Sequence, residues 1–104
     1  MSKLSIIIPC FNEKNTVAEI IKRVKAVSLS NIEKEIIVVD DGSTDGTRDI
    51  IKTISGIRYF FHNRNLGKGG AIKTGFIKAT GEIVIIQDAD LEYDPNEYGA
   101  VVTP

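Results

Sequence analysis

Ile83-Val84-Ile85-Ile86-Gln87-Asp88-Ala89-Asp90 is the stretch whose reading decides the fold. A short apolar run rich in β-branched residues ends in two carboxylates one residue apart. The run is too short for a helix and follows the breaker Gly81, so it reads as a buried, central strand. Residues i and i+2 of an extended chain project to the same face. Asp88 and Asp90 are therefore expected to point together, just past the carboxyl end of the strand, where ligands bind in open α/β sheets. Two adjacent like charges are costly unless something positive neutralises them. A hard divalent cation, Mg²⁺ or Mn²⁺, favours oxygen ligands and would meet that need. The competing reading is a solvated acidic loop.

Upstream, the same grammar repeats. Leu4 to Ile8 is an apolar run broken only by Ser5, a first strand whose ladder Pro9 is expected to end. Val17, Ile20, Ile21, Val24 and Val27 recur at helical spacing, with Asn15 or Thr16 placed to cap and Lys22, Arg23 and Lys25 on the solvated side. Glu35 to Val39 is a second strand, apolar after its first residue as in parallel sheets covered on both faces. A helix is expected from Thr47 to Ile54, capped by Asp45 or Thr44, then a strand from Ile57 to Phe61. A last helix should run from Ala71 to Ala79, with Ile72, Gly75, Phe76 and Ala79 inward and Gly81 as its terminal glycine. The order β-α-β-α-β-α-β with short connections predicts an α/β fold, a Rossmann-like parallel sheet with flanking helices.

That topology sends three turn-rich loops, Pro9–Glu13, Asp40–Thr47 and Asp88–Asp94, to one edge of the sheet, where they should build a single acidic crevice. Asn65–Gly70, with Arg64 and Lys68, resembles a phosphate cradle at a helix entry. Its spacing matches neither the dinucleotide nor the P-loop pattern. Lone residues take plainer readings: Cys10 as packing, His62 as a loop residue, Tyr93 and Tyr98 as packing or surface.

Composition bounds the rest. The chain has 104 residues, room for one small domain. A net charge of -1 and the lack of a basic run make no case for nucleic acid. No apolar stretch nears the ~20 residues of a membrane span, and no signal-peptide pattern opens the chain. One cysteine and one histidine exclude an internal disulfide and a His/Cys zinc cluster within one chain, and fit a reducing compartment.

Four segments, in order, carry a family resemblance: Ile6–Glu13, Ile37–Thr47, Asn63–Gly69 and Gln87–Pro95. Together they resemble the N-terminal half of family 2 glycosyltransferases with the GT-A fold, most of all the dolichol-phosphate mannose synthase and polyprenyl-phosphate glycosyltransferase branch. The resemblance implies a nucleotide-binding half of that fold over residues 1–104. Pro9, Phe11, Glu13, Val39 and Asp41 would contact base and ribose, with Lys68 near the nucleotide. Asp88, Ala89 and Asp90 would form the D-x-D motif, Asp88 and Ala89 beside the nucleotide sugar. Asp88, Asp90 and Glu92 would hold Mg²⁺ or Mn²⁺. A UDP- or GDP-linked sugar is the implied donor and a polyprenyl or dolichyl phosphate the implied acceptor, at the cytoplasmic membrane face, with inversion at the anomeric carbon. Family catalytic domains run to about twice this length, so the chain is expected to be truncated after the D-x-D motif. Its acceptor-side base would lie outside it, and its fourth strand would be left as an edge open to homo-oligomers. The alternatives are a non-catalytic assembly module and, less well matched, a nucleotidyltransferase or a receiver domain.

Overall fold

The computed structural model describes residues 2–89. Seven elements alternate: β1 (Ser2–Cys10), α1 (Val17–Ala26), β2 (Ile32–Asp40), α2 (Thr47–Lys52), β3 (Arg58–Phe61), α3 (Lys68–Lys78) and β4 (Ile83–Ile86). The four strands form one parallel sheet in the order β3-β2-β1-β4. The expected element order and parallel pairing are both present.

Two layers of helix cover the sheet. Leu4, Ile6, Ile8, Ile36, Val38 and Ile85 pack one face against α1 and against Ile51 of α2. Ile37 and Val39 pack the other face against Ala71 of α3. Alternate residues of β1 and β2 thus enter opposite cores, which is why both strands read as apolar runs without regular polar alternation. The chain winds outward from β1 to β3, then returns through α3 to place β4 on the far side of β1. The switch point between β1 and β4 is where such sheets open a crevice.

Several expectations need correction. Pro9 does not end β1, since it pairs with Val39 and Cys10 pairs with Asp40. The Lys3 and Ile7 carbonyls accept from Glu82 and Gln87, and the Cys10 carbonyl accepts from Asp41. Odd positions of β1 therefore face β4, and on that side the ladder stops at Ile7↔Ile86, where the next bond would need an N–H that Pro9 lacks; Pro9 ends the β4 ladder while the β2 ladder runs on. β4 is not central; among the described residues it pairs only with β1, and Ile86 is exposed.

α3 begins three residues before the expected Ala71, its first turn closed by the Ala71 amide on the Gly67 carbonyl at 3.1 Å. Phe76 is 52% exposed, not inward. The buried stripe of α3 is Ala71 and Gly75, one turn apart, and a Cβ at Gly75 would lie 2.5 Å from Ile7 Cγ2. So close an approach turns the neighbouring Phe76 away from the sheet. Gly81 does not terminate α3 either; Ala79 is its C-cap, in extended conformation. Gly81 is needed for space, because a Cβ there would meet Ser5 Oγ at 2.6 Å and the Lys3 carbonyl at 2.8 Å.

Candidate functional site

An open crevice of about 370 Å³ lies at the carboxyl ends of the strands, within the range of small-molecule sites. Pro9, Cys10, Phe11 and Glu13 line it from the end of β1, and Asp41 from the end of β2. Asn65, Gly67, Lys68 and Ala71 approach from the start of α3, and Asp88 and Ala89 from beyond β4. Of the expected site residues, seven meet here. Val39 does not line the crevice; its side chain is fully buried against α3. Asp90, Glu92, Tyr93 and Tyr98 lie outside the described residues.

The loop after β1 is held by the loop after β2. The Asn12 amide donates to Ser43 Oγ at 2.9 Å, and Asn12 Oδ1 accepts from the Thr44 amide at 2.8 Å. The Glu13 amide donates to Thr47 Oγ1 at 3.0 Å, and the Lys14 amide to Asp45 Oδ2 at 3.3 Å. Asn12 takes the left-handed conformation that this stitching requires, with φ 53°. Gly42, at φ 81°, lies beneath the loop before α3; a Cβ there would stand 2.6 Å from the Arg64 carbonyl carbon.

The acidic crevice expected from the sequence is therefore only partly acidic. Asp40 is fully buried, its Oδ2 accepting from Arg48 Nε at 2.8 Å and from the Ser43 amide at 3.1 Å. Asp45 accepts from the hydroxyl and amide of Thr47, and the hydroxyl holds its carboxyl below the usual range. Both acids serve the loops. Glu13, Asp41 and Asp88 are the acids left to the crevice.

Asp41 is 3% exposed. Its Oδ1 accepts from the Leu66 amide at 2.8 Å and faces His62 Nδ1 at 2.8 Å. Among the described residues its Oδ2 has no partner. A buried carboxylate oxygen seeks a donor, and this one belongs to a residue lining the crevice. His62, read from sequence as a plain loop residue, spans from Asp41 to Thr74 of α3, with Nε2 2.8 Å from Thr74 Oγ1. Nothing local in the sequence marks that role, because its partners lie 21 and 12 residues away.

Lys68, the first residue of α3, donates to Asp88 Oδ1 at 2.5 Å. The Thr16 hydroxyl caps no helix amide; it donates to the Ala89 carbonyl at 2.6 Å. Cys10 is buried with its Sγ 3.9 Å from Asp40 Oδ1. Burial first, then the charges of Asp40 and Glu13, push its thiol far up, away from the thiolate form, in keeping with a packing residue. Among the described residues no three His, Cys, Asp or Glu side chains converge as a metal site. Asp88 is the one acid of the D-x-D motif within those residues, and its hard oxygen donors suit a cation such as Mg²⁺ or Mn²⁺.

Comparison with known proteins places this geometry. Residues 5–104 match the family described as Glycosyl transferase family 2. The undecaprenyl-phosphate 4-deoxy-4-formamido-L-arabinose transferase of Proteus mirabilis (strain HI4320) is 34% identical over 108 residues, covering 98% of this chain and 33% of that protein. The chain thus spans about a third of the length of the curated relatives it matches. Glucosyl-3-phosphoglycerate synthase from Mycobacterium tuberculosis in complex with UDP superposes with a TM-score of 0.80 at 28% identity, over 99% of this chain and 39% of that one. A mannosyltransferase from Pyrobaculum calidifontis in complex with GDP-Man and Mn²⁺ gives a TM-score of 0.76 at 30% identity, over 95% and 30% of the two chains.

Proposed function

The chain belongs to glycosyl transferase family 2, its sheet and helices are those of the GT-A glycosyltransferases, and we propose that its crevice binds the nucleotide-sugar donor. The observation that carries this reading is Asp41, a buried carboxylate in the crevice wall with one oxygen held and the other, among the described residues, without a partner. That oxygen accepts an N–H or O–H of the base or ribose. Pro9, Phe11 and Glu13 flank the same moiety, and Val39 supports it from below. The diphosphate lies toward the first turn of α3, where backbone amides and Lys68 favour an anion. Asp88 and Ala89 stand at the sugar side, and Asp88 with Asp90 and Glu92 would hold Mg²⁺ or Mn²⁺. A divalent cation there supplies positive charge that makes the nucleoside diphosphate a better leaving group.

Residues 1–104 are read as one donor-binding unit. The whole protein would transfer a hexose or N-acetylhexosamine with inversion. The undecaprenyl phosphate in the name of the Proteus relative supports a polyprenyl phosphate as acceptor, and a lipid acceptor of that kind would put the reaction at the cytoplasmic membrane face. No helix among the described residues is long and apolar enough to cross a membrane. The UDP and GDP-Man complexes support either base. Calorimetric titration with UDP- and GDP-sugars, with and without Mn²⁺, tests the reading. Saturable binding of one nucleotide, tightened by Mn²⁺, is expected. A folded chain that binds neither would overturn it.

A further inference from the structure

We propose that His62 is a positioning residue for the crevice: its Nδ1–H holds Asp41, and through Asp41 the loop before α3, in the geometry that receives the nucleotide. The inference rests on the nucleotide-binding reading above. The His62 amide donates to the Asp40 carbonyl at 2.9 Å, which docks the residue at the end of β2 beside Asp41. Its side chain is 11% exposed, and both ring nitrogens are engaged, toward Asp41 Oδ1 and Thr74 Oγ1. A carboxylate can only accept, so Nδ1 carries a proton; in the neutral imidazole Nε2 then accepts from the Thr74 hydroxyl. The Arg48 guanidinium donates to the His62 carbonyl and to Asp40, fixing the backbone from the other side.

One oxygen thus gathers three parts of the fold. Asp41 Oδ1 accepts from His62, past β3, and from the Leu66 amide, in the loop that leads to Lys68. With Oδ1 held twice, the plane of the carboxylate is set and Oδ2 is left as the oxygen for a ligand donor. Without the His62 donor the carboxylate can rotate and meet Leu66 with either oxygen. The ligand would then have to order both, and ordering on binding weakens affinity.

Asparagine and glutamine separate the two ring nitrogens. In His62→Asn the amide nitrogen takes the place of Nδ1, keeping the donor to Asp41 and losing Thr74. In His62→Gln the longer side chain puts its amide group at the place of Nε2, where its oxygen can accept from Thr74, and the donor to Asp41 is lost. Each loses one hydrogen bond, and the one to the buried carboxylate is the stronger, so His62→Gln should melt somewhat below His62→Asn. Titration with UDP and with GDP in the presence of Mn²⁺ should give His62→Asn a Kd within about twofold of wild type. His62→Gln should bind about tenfold more weakly, the effect of one hydrogen bond. Equal affinities for the two folded variants would overturn the inference.

The Leu66 amide proton shift, read by NMR without ligand, gives a second measurement. It should stay in place in His62→Asn and move in His62→Gln; no movement in His62→Gln overturns the proposal. If wild type binds neither nucleotide, the nucleotide reading fails and the Leu66 amide alone decides whether His62 holds Asp41. Thr74→Val, which keeps the imidazole, serves if the His62 variants do not fold. Because the Nδ1–H to Asp41 is kept, a Kd within about twofold of wild type is expected, and a loss of about tenfold would overturn the assignment of the effect to the Asp41 contact.

Discussion

The Thr16 hydroxyl donates to the Ala89 carbonyl at 2.6 Å, so the residue at the entry to α1 holds the loop that carries Asp88. The two are 73 positions apart in the chain. A residue type that usually caps its own helix here ties the first βα unit to the last strand's loop, across the switch point of the sheet.

Thr16→Val keeps the shape and removes the donor. Leaving the Ala89 carbonyl unpaired should cost about 1–2 kcal/mol of stability in urea unfolding. If the loop presents Asp88 as proposed, Mn²⁺-dependent nucleotide affinity should fall as well. Calorimetry on the folded variant checks the second effect separately from the first.

Asp88→Asn removes a part-exposed carboxylate paired with Lys68. Such pairs contribute little to stability, so melting should change by less than about 1 kcal/mol equivalent. The enhancement of nucleotide binding by Mn²⁺ should be lost. Titration in parallel series with Mn²⁺ and with EDTA reads the difference, and an unchanged enhancement would remove Asp88 from the cation site.

Glu35 predicts an acid limit. Burial pushes its carboxyl up, but hydrogen bonds from the Thr80 amide and hydroxyl, Ser5 and Arg58 outweigh burial and hold it down at about 2. Its folded pKa thus lies below the unfolded value of about 4.3. The stabilisation is complete above the unfolded pKa and is lost as pH falls from there through about 2. Glu35→Gln should lower stability at pH 7 by on the order of 2 kcal/mol, and the gap from wild type should narrow between pH 4 and pH 2. Denaturant midpoints across that range would show it.

Gly75→Ala should destabilise by about 1–3 kcal/mol, because the new methyl would press into Ile7 and cores resist overpacking. The cost should shrink in an Ile7→Ala background, where the opposing side chain is gone, a coupling that a double-mutant cycle measures. An additive result would show that α3 shifts freely on the sheet.

Much of this architecture was legible in local sequence. Apolar, β-branched runs marked β1, β2 and β4; β1 and β2 read that way because they are buried on both faces, whereas β4 is only partly covered and Ile86 is exposed. The spacing of Val17, Ile20, Ile21 and Val24 marked α1, and all four are buried. The strand-to-loop transitions at Pro9, Asp40 and Asp88 located the crevice, since parallel strands all end at one edge. Seven of the residues the family motifs named meet there; Val39 does not, and Asp90 and Glu92 lie outside the described residues.

What the chain order could not show is which polar group serves the ligand side and which serves the fold. Asp40, Asp41 and Asp45 share one acidic loop and look alike in sequence. Arg48 claims the first, Thr47 the third, and His62 with Leu66 holds one oxygen of the second while leaving the other. The outward turn of Phe76 and the close seats of Gly75 and Gly81 depend likewise on what lies across the sheet. Alternation and apolar runs are properties of neighbours along the chain, so sequence alone determined the elements, their order and the edge where the crevice opens. Hydrogen-bond partners and steric clearances are set between residues tens of positions apart, so only the tertiary structure decided the role of each carboxylate and the place of His62.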